Sequence, residues 1–141
     1  MFVTLLAGVL SLQDGSLQLA SAGHDAPLRV SADGKVEFIP VESSSPAGIN
    51  DEAQYHNASC RLQPGDALVT YTDGVTEARN PDGLLFGAKR LVSVLAAATD
   101  RAPGALLTTI TEAVDGFAAG AEQADDLTLL VLRFKGAGSQ P

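Results

Sequence analysis

Ala67-Leu68-Val69-Thr70-Tyr71-Thr72-Asp73-Gly74 is the stretch on which the reading of this chain turns. Residues 67–72 are apolar, β-branched or aromatic, the composition of a strand, and Gln63-Pro64-Gly65-Asp66 supplies a turn that leads into it. Asp73 stands where the strand ends, a suitable place for a carboxylate ligand. Gly74 lets backbone or ligand come close, because it has no Cβ. A plainer alternative is a tight turn like the one at Asp14-Gly15, and spacing alone does not separate the two.

Beyond Pro81-Asp82-Gly83 the hydrophobic period lengthens. Leu91, Leu95 and Ala98 recur at helical spacing, and Leu106, Ile110, Ala113, Val114 and Phe117 form a clearer apolar stripe, so two consecutive helices are predicted. Asp100 is placed to cap the second, Pro103 falls in its first turn, and Gly116 and Gly120 help to end it. Residues 127–134 then form a continuous apolar, β-rich run, expected of a strand covered on both faces. Asp125 and Asp126 precede this run. Two adjacent carboxylates at the mouth of a sheet repel each other, and a hard divalent cation relieves that repulsion; a solvated loop pair is the alternative.

In the other direction the chain reads as strands. Residues 2–12 are apolar and predict a strand buried on both sides at the centre of a sheet. Asp14-Gly15 turns the chain into alternating residues 16–20, and Ala32-Asp33-Gly34 joins residues 28–30 to 35–39 in a second hairpin. Two hairpins imply a meander. Residues 42–53 are too polar to be more than a surface loop, and residues 54–62 return as a half-polar strand. The pattern is that of an α+β domain with helices packed on antiparallel sheet. His24 lies in Ala22-Gly23-His24-Asp25, where it could orient a phosphate or carboxylate or serve as a turn residue bonded to nearby backbone. His56 falls on a strand that looks ordinary and exposed.

Composition narrows the function. The 141 residues suffice for one domain, and 45% hydrophobic against 18% charged residues describes a globular chain. Seventeen acidic against nine basic residues give a formal net charge of -8, which repels nucleic acid and anionic lipid. The one cysteine, Cys60, excludes an internal disulfide or thiolate zinc cluster and reads as a small core residue in a reducing, cytoplasmic setting. Ala20-Ser21-Ala22 looks like a signal-peptidase site, but no Lys or Arg occurs before Arg29, and the apolar opening is too short for membrane insertion. Asn57-Ala58-Ser59 matches a glycosylation triplet that matters only outside the cytoplasm. No Gly-Lys-Ser phosphate loop, Gly-x-Ser-x-Gly elbow or His-Glu-x-x-His motif occurs.

Three stretches in order carry a resemblance: Tyr71-Thr72-Asp73-Gly74-Val75-Thr76-Glu77-Ala78-Arg79-Asn80, then Gly83-Leu84-Leu85-Phe86-Gly87, then Asp125-Asp126-Leu127-Thr128-Leu129-Leu130-Val131-Leu132. They resemble the metal-dependent (PPM, type 2C) protein serine/threonine phosphatases, in the bacterial SpoIIE-like branch. Met1-Phe2-Val3-Thr4-Leu5 and Ala20-Ser21-Ala22-Gly23-His24-Asp25-Ala26-Pro27-Leu28 match that branch too. The resemblance implies an antiparallel β-sandwich flanked by helices, with a binuclear Mn2+ or Mg2+ site between the sheets. It implies that Asp73 and Asp125 bind one metal, with Gly74, Asp126 and His24 in weaker or supporting positions. It implies direct in-line hydrolysis of phosphoserine or phosphothreonine, with cations activating water and neutralising phosphoryl oxygens on the order of 4 Å apart. The implied partner is a phosphoprotein, an anti-sigma factor antagonist in bacterial partner switching.

The family's amino-terminal Asp-Gly-His-Gly-type motif, whose aspartate bridges both metals, has no counterpart here. Residues 1–135 are therefore expected to be the carboxy-terminal part of such a domain, with Met1 internal to a longer protein and residues 136–141 a flexible tail. The fold is expected to be incomplete at its amino-terminal side, with bare strand edges that favour homodimers or aggregates. The alternative function is a catalytically inactive, phosphoprotein-binding fragment.

Overall fold

The computed structural model describes residues 1–123 and 125–138. Strands β1 (Leu5–Leu10), β2 (Ser16–Ala22), β3 (Leu28–Val30), β4 (Val36–Phe38), β5 (Ser43–Ser44), β6 (Ala58–Arg61) and β7 (Ala67–Tyr71) come first. A short helix α1 (Asp73–Thr76), helices α2 (Ala88–Ala97) and α3 (Pro103–Ala118), and strand β8 (Leu129–Arg133) follow. β2 pairs with β1 and β6 antiparallel and with β5 parallel, while the second sheet runs β4-β3-β7-β8, all antiparallel. The two hairpins thus fall in different sheets, which corrects the expected single meander. Both turns place glycine at positive φ, 74° at Gly15 and 94° at Gly34.

Strand alternation sends β7 in two directions. Ala67, Val69 and Tyr71 face the helices, together with Leu28 and Val30 of β3 and Leu91, Leu95, Leu106, Ile110 and Val114 of α2 and α3. Leu68 faces the other way, into a smaller cluster with Leu17, Leu19, Ile39, Leu62 and Phe134 between the sheets. Each fully buried aliphatic side chain in these layers contributes roughly 1.5–3 kcal/mol relative to exposure.

The helices follow their apolar stripes. Pro103 is the first residue of α3, where its missing N–H has no helical acceptor to lose. Asp100 is not the cap: Ala102 holds that position, and the Asp100 carboxylate accepts from the Ala102 N–H at 2.9 Å just outside the helix. Ala119 closes α3 in the left-handed region at φ 49°, followed by Gly120 at 85°, whereas Gly116 lies within the helix. Arg90 fastens α2 to the segment before it, donating to the carbonyls of Leu85 (3.2 Å) and Phe86 (2.7 Å) and stacking 4.2 Å from the Phe117 ring centroid.

Two strands expected to be covered on both faces are edges. Among the described residues β1 pairs with β2 alone, and it contains no fully buried residue, with Leu5 52% and Val9 73% exposed. Among the described residues β8 pairs with β7 alone; Leu129 and Val131 pack against the helix-side cluster and Leu132 and Phe134 belong with the inter-sheet one, so both faces are covered in part, while Leu130 is 54% exposed. A continuous apolar run requires apolar neighbours on both faces to be buried, and sequence does not say whether they are present. Residues 42–53 are mostly loop, as expected, but include β5 and the bridge between Val3 and Ala47. In the 54–62 segment only β6 is strand, and His56 lies exposed before it. Cys60 is half-buried against the inter-sheet cluster, and burial pushes its thiol pKa up. Residues 137–138 form a turn, and residues 139–141 of the expected tail lie outside the described residues. Among the described residues no helix is long and apolar enough to cross a membrane.

Candidate metal and phosphate site

The carboxyl end of β7 and the amino end of β8 are adjacent, because Tyr71 pairs with Leu129. Just beyond that pair the two loops are tied together. The Thr72 N–H donates to the Thr128 carbonyl (3.1 Å), the Thr128 N–H donates to Thr72 Oγ1 (3.0 Å), and Thr72 Oγ1 donates to the Asp126 carbonyl (3.1 Å). The loops carrying Asp73 and the Asp125-Asp126 pair, about fifty positions apart in the chain, are thereby held at one end of the sandwich. Asp73 opens α1 rather than a plain turn, and its carbonyl accepts from the Glu77 N–H at 2.7 Å.

Gly74 is required by close approach. A Cβ at this position would overlap the Asp126 carbonyl oxygen and lie 2.9 Å from its carbon. The approach anticipated at this glycine is made by the chain's own backbone, which forms a cradle between the two acidic loops. In the 125–126 loop, Asp125 Oδ1 accepts from the Asp126 N–H (2.7 Å), and the Gln123 amide donates to the Asp125 carbonyl (2.7 Å). Asp73, Asp125 and Asp126 are all exposed.

His24 reaches the same end from the other sheet. It follows β2 on a turn in which the Ser21 hydroxyl, in a side chain only 1% exposed, donates to the His24 carbonyl (2.9 Å) and accepts from the His24 N–H (3.2 Å). His24 Nδ1 lies 3.1 Å from the Asp25 carbonyl. A small cavity of about 70 Å³ is lined by Thr4, Gly23, His24, Asp25, Thr72 and Asp73 and so spans both sheets. Burial pushes the Tyr71 phenol up to about 12, and the nearby Asp25 carboxylate adds to the shift by disfavouring a second negative charge.

The oxygen-only donors Asp73, Asp125 and Asp126 suit a hard divalent cation, and the close approach at Gly74 holds the loops that carry them in backbone contact. The set is short: among the described residues no group of three or more His, Cys, Asp or Glu side chains converges in a metal-holding arrangement. Sequence reasoning missed Thr72, Ser21 and Asp25. Thr72 looks like an ordinary strand residue, and only the pairing of β7 with β8 turns its hydroxyl into a link between loops. Ser21 could have been noticed as a polar residue in the inward-facing series Leu17, Leu19, Ser21.

The model of the family Stage II sporulation protein E (SpoIIE) matches residues 1–135. Protein IcfG of Synechocystis sp. (strain ATCC 27184 / PCC 6803 / Kazusa) is 33% identical over 133 residues, covering 94% of this chain and 20% of that protein. Phosphoserine phosphatase RsbU of Bacillus subtilis (strain 168) is 28% identical over 85 residues, covering 60% of this chain and 25% of that protein. The phosphatase domain of the cell fate determinant SpoIIE from Bacillus subtilis, from a Mn-presoaked crystal, superposes with a TM-score of 0.75 at 21% identity, over 98% of this chain and 58% of that one. The chain thus spans a fifth to a quarter of these curated relatives and somewhat over half of the solved domain. Its two sheets with helices on one face are the fold of that domain, and the chain belongs to the SpoIIE family of PPM (PP2C-type) serine/threonine phosphatases.

Proposed function

We propose that residues 1–135 are the carboxy-terminal part of a phosphatase domain that hydrolyses phosphoserine or phosphothreonine on a protein, with Asp73 and Asp125 holding a Mn2+ or Mg2+ ion. The observation that supports this reading is the tie between the two acidic loops, Thr72 to Asp126 and Thr128, which joins segments from distant parts of the chain that carry these carboxylates. When bound, divalent cations lower the pKa of water and neutralise phosphoryl oxygens. The chain's own residues hold and orient: Asp73 and Asp125 supply negative oxygen donors, Gly74 keeps their loops in contact, and Asp126 and His24 flank them. Cys60 is not set up as a covalent nucleophile, since its thiol pKa is raised and it packs against the inter-sheet cluster.

The remaining ligands, including a bridging carboxylate, would come from a segment outside these residues that pairs with the free edges of β1 and β8. The match to somewhat over half of a solved phosphatase domain supports this. The similarity to the phosphoserine phosphatase RsbU supports phosphoserine as the group removed, and an anti-sigma factor antagonist in the cytoplasm is the phosphoprotein that the resemblance of the motifs implies. Without that segment the exposed apolar edge favours homodimers. Replacing Asp73 by Asn in the protein that includes the preceding segment should reduce Mn2+-dependent phosphate release at least about 100-fold, a loss of several kcal/mol of charge stabilisation. Unchanged turnover would sink the assignment.

A second reading, a phosphoprotein-binding module without turnover, is favoured by the short ligand set among the described residues. Binding of a phosphorylated partner with and without Mn2+, with no phosphate released, would select it.

A further inference from the structure

A cleft of about 730 Å³ opens beside the candidate site and shares Gly74 and Asp126 with it. Its far wall is the carboxyl-terminal half of α3, with Thr111 and Asp115, and its rim carries Arg79 and Glu122. Three of these side chains are carboxylates against one guanidinium. The Arg79 guanidinium is turned toward its own loop, donating to the Gly83 carbonyl at 3.2 Å, and no ion pair joins Asp115, Glu122 or Asp126 to a base among the described residues. Asp115 also sits in the last turn of α3, where the helix dipole disfavours a negative charge and where no basic residue offsets it. Fold stability does not explain these carboxylates, and they leave an anionic wall beside a site that must accept an anion.

Next to the cleft is an apolar surface. Leu85 bridges to Arg79, and Leu84 and Leu85 are 61% and 46% exposed. Their loop is held by polar bonds: the Leu84 N–H donates to Asn80 Oδ1 (2.8 Å), and Arg90 donates to the Leu85 and Phe86 carbonyls. Exposed leucines on a loop fixed in this way suit a polypeptide partner better than a small anion.

We propose that this cleft receives the segment flanking the phosphorylated residue of the protein substrate, and that its carboxylates select a basic side chain there. The inference rests on the phosphoprotein reading of the Asp73 site, from which the cleft is continuous. A positive charge on the flanking segment neutralises Asp115 and Glu122 and removes their repulsion of the adjacent phosphate.

The test is amide NMR on this chain with Mg2+ present. It is titrated with two short phosphoserine peptides that differ only in carrying arginine or glutamate next to the phosphoserine. The arginine peptide should bind about tenfold more tightly and shift the amides of Thr111, Asp115 and Ala118. That preference should shrink to within about twofold in Asp115→Lys and, separately, in Glu122→Lys. Both substitutions lie on exposed surface, and a lysine near the end of α3 suits the dipole, so the spectra should stay well dispersed. Equal binding of the two peptides, or shifts confined to other surfaces, overturns the cleft while a phosphate-dependent shift at Gly74 leaves the Asp73 reading standing. Absence of any phosphate-dependent shift, in this chain and in the protein that includes the preceding segment, overturns both.

Discussion

The two faces of the β4-β3-β7-β8 sheet differ sharply. On the helix side, Leu28, Val30, Val69, Val75, Leu91, Leu95, Leu106 and Ile110 are 0% exposed, and two amphipathic helices cover the strands. On the other side a cavity of about 450 Å³, lined by Leu6, Leu17, Leu19, Leu68, Leu130 and Leu132 among others, lies between the sheets near the unpaired edges of β1 and β8. Apolar sequence is plentiful on both sides. The helix side is closed because α2 and α3 follow immediately in the chain and reach it. The inter-sheet side has only the first sheet to cover it, and that sheet stops at β1.

Substitutions should separate the faces. Ile110→Ala removes a fully buried side chain between α3 and the sheet, and about 2–5 kcal/mol of stability should be lost, visible as a lower urea midpoint. A loss under about 1 kcal/mol would mean that the helix layer is not packed as described. Gly74→Ala should cost about 1–3 kcal/mol, because the new methyl must push the Asp126 backbone away. Hydrogen exchange at the Thr72 and Thr128 amides should accelerate in this variant, and unchanged exchange would show that the two loops are not in contact.

On the open side the expectation reverses. Val9→Lys on β1 should alter stability by no more than about 0.5 kcal/mol, since the side chain is already mostly exposed. It should also reduce self-association measured by sedimentation, because a charged edge strand resists pairing with another chain. A large destabilisation would place β1 inside a core. The smallest effect concerns the turn that joins the open strand to its neighbour. Hydrogen bonds from Ser11 and Ser16 lower the Asp14 pKa from 3.8 to about 2. A carboxyl whose pKa is lower folded than unfolded contributes stability above its unfolded value, and that contribution fades as pH falls from about 4 through about 2. Asp14→Asn should lower stability slightly near neutral pH, where the carboxylate's contribution is fully present, and should flatten the acid limb in that window. An unchanged acid limb would assign the pH dependence to other carboxylates.

Much of this was legible in the sequence because local physics specifies it. The strand at 67–71, the hairpins at Asp14-Gly15 and Ala32-Asp33-Gly34, and the stripes of α2 and α3 each follow from periodicity and turn chemistry within a few residues. Motif wording was enough to single out Asp73, Asp125, Gly74, Asp126 and His24 as candidates, and the family match over residues 1–135 agrees with the resemblance that named them. The overestimates share one cause. Residues 2–12 have the composition of a buried strand, and residues 127–134 that of one wholly covered, yet β1 is largely exposed and Leu130 of β8 half so, because burial depends on a neighbour that composition does not supply.

Sequence by itself determined the strands and helices, the acidic balance and the family, all of which depend on neighbouring residues or on recognisable wording. Only the tertiary structure decided which strands share a sheet, and therefore that Thr72 bonds to residues 126 and 128, that Gly74 admits the Asp126 backbone, and that the turn after β2 meets the end of β7 across a small cavity. Those contacts join residues about fifty positions apart, and long-range pairing is set by the packing of whole layers rather than by any local propensity.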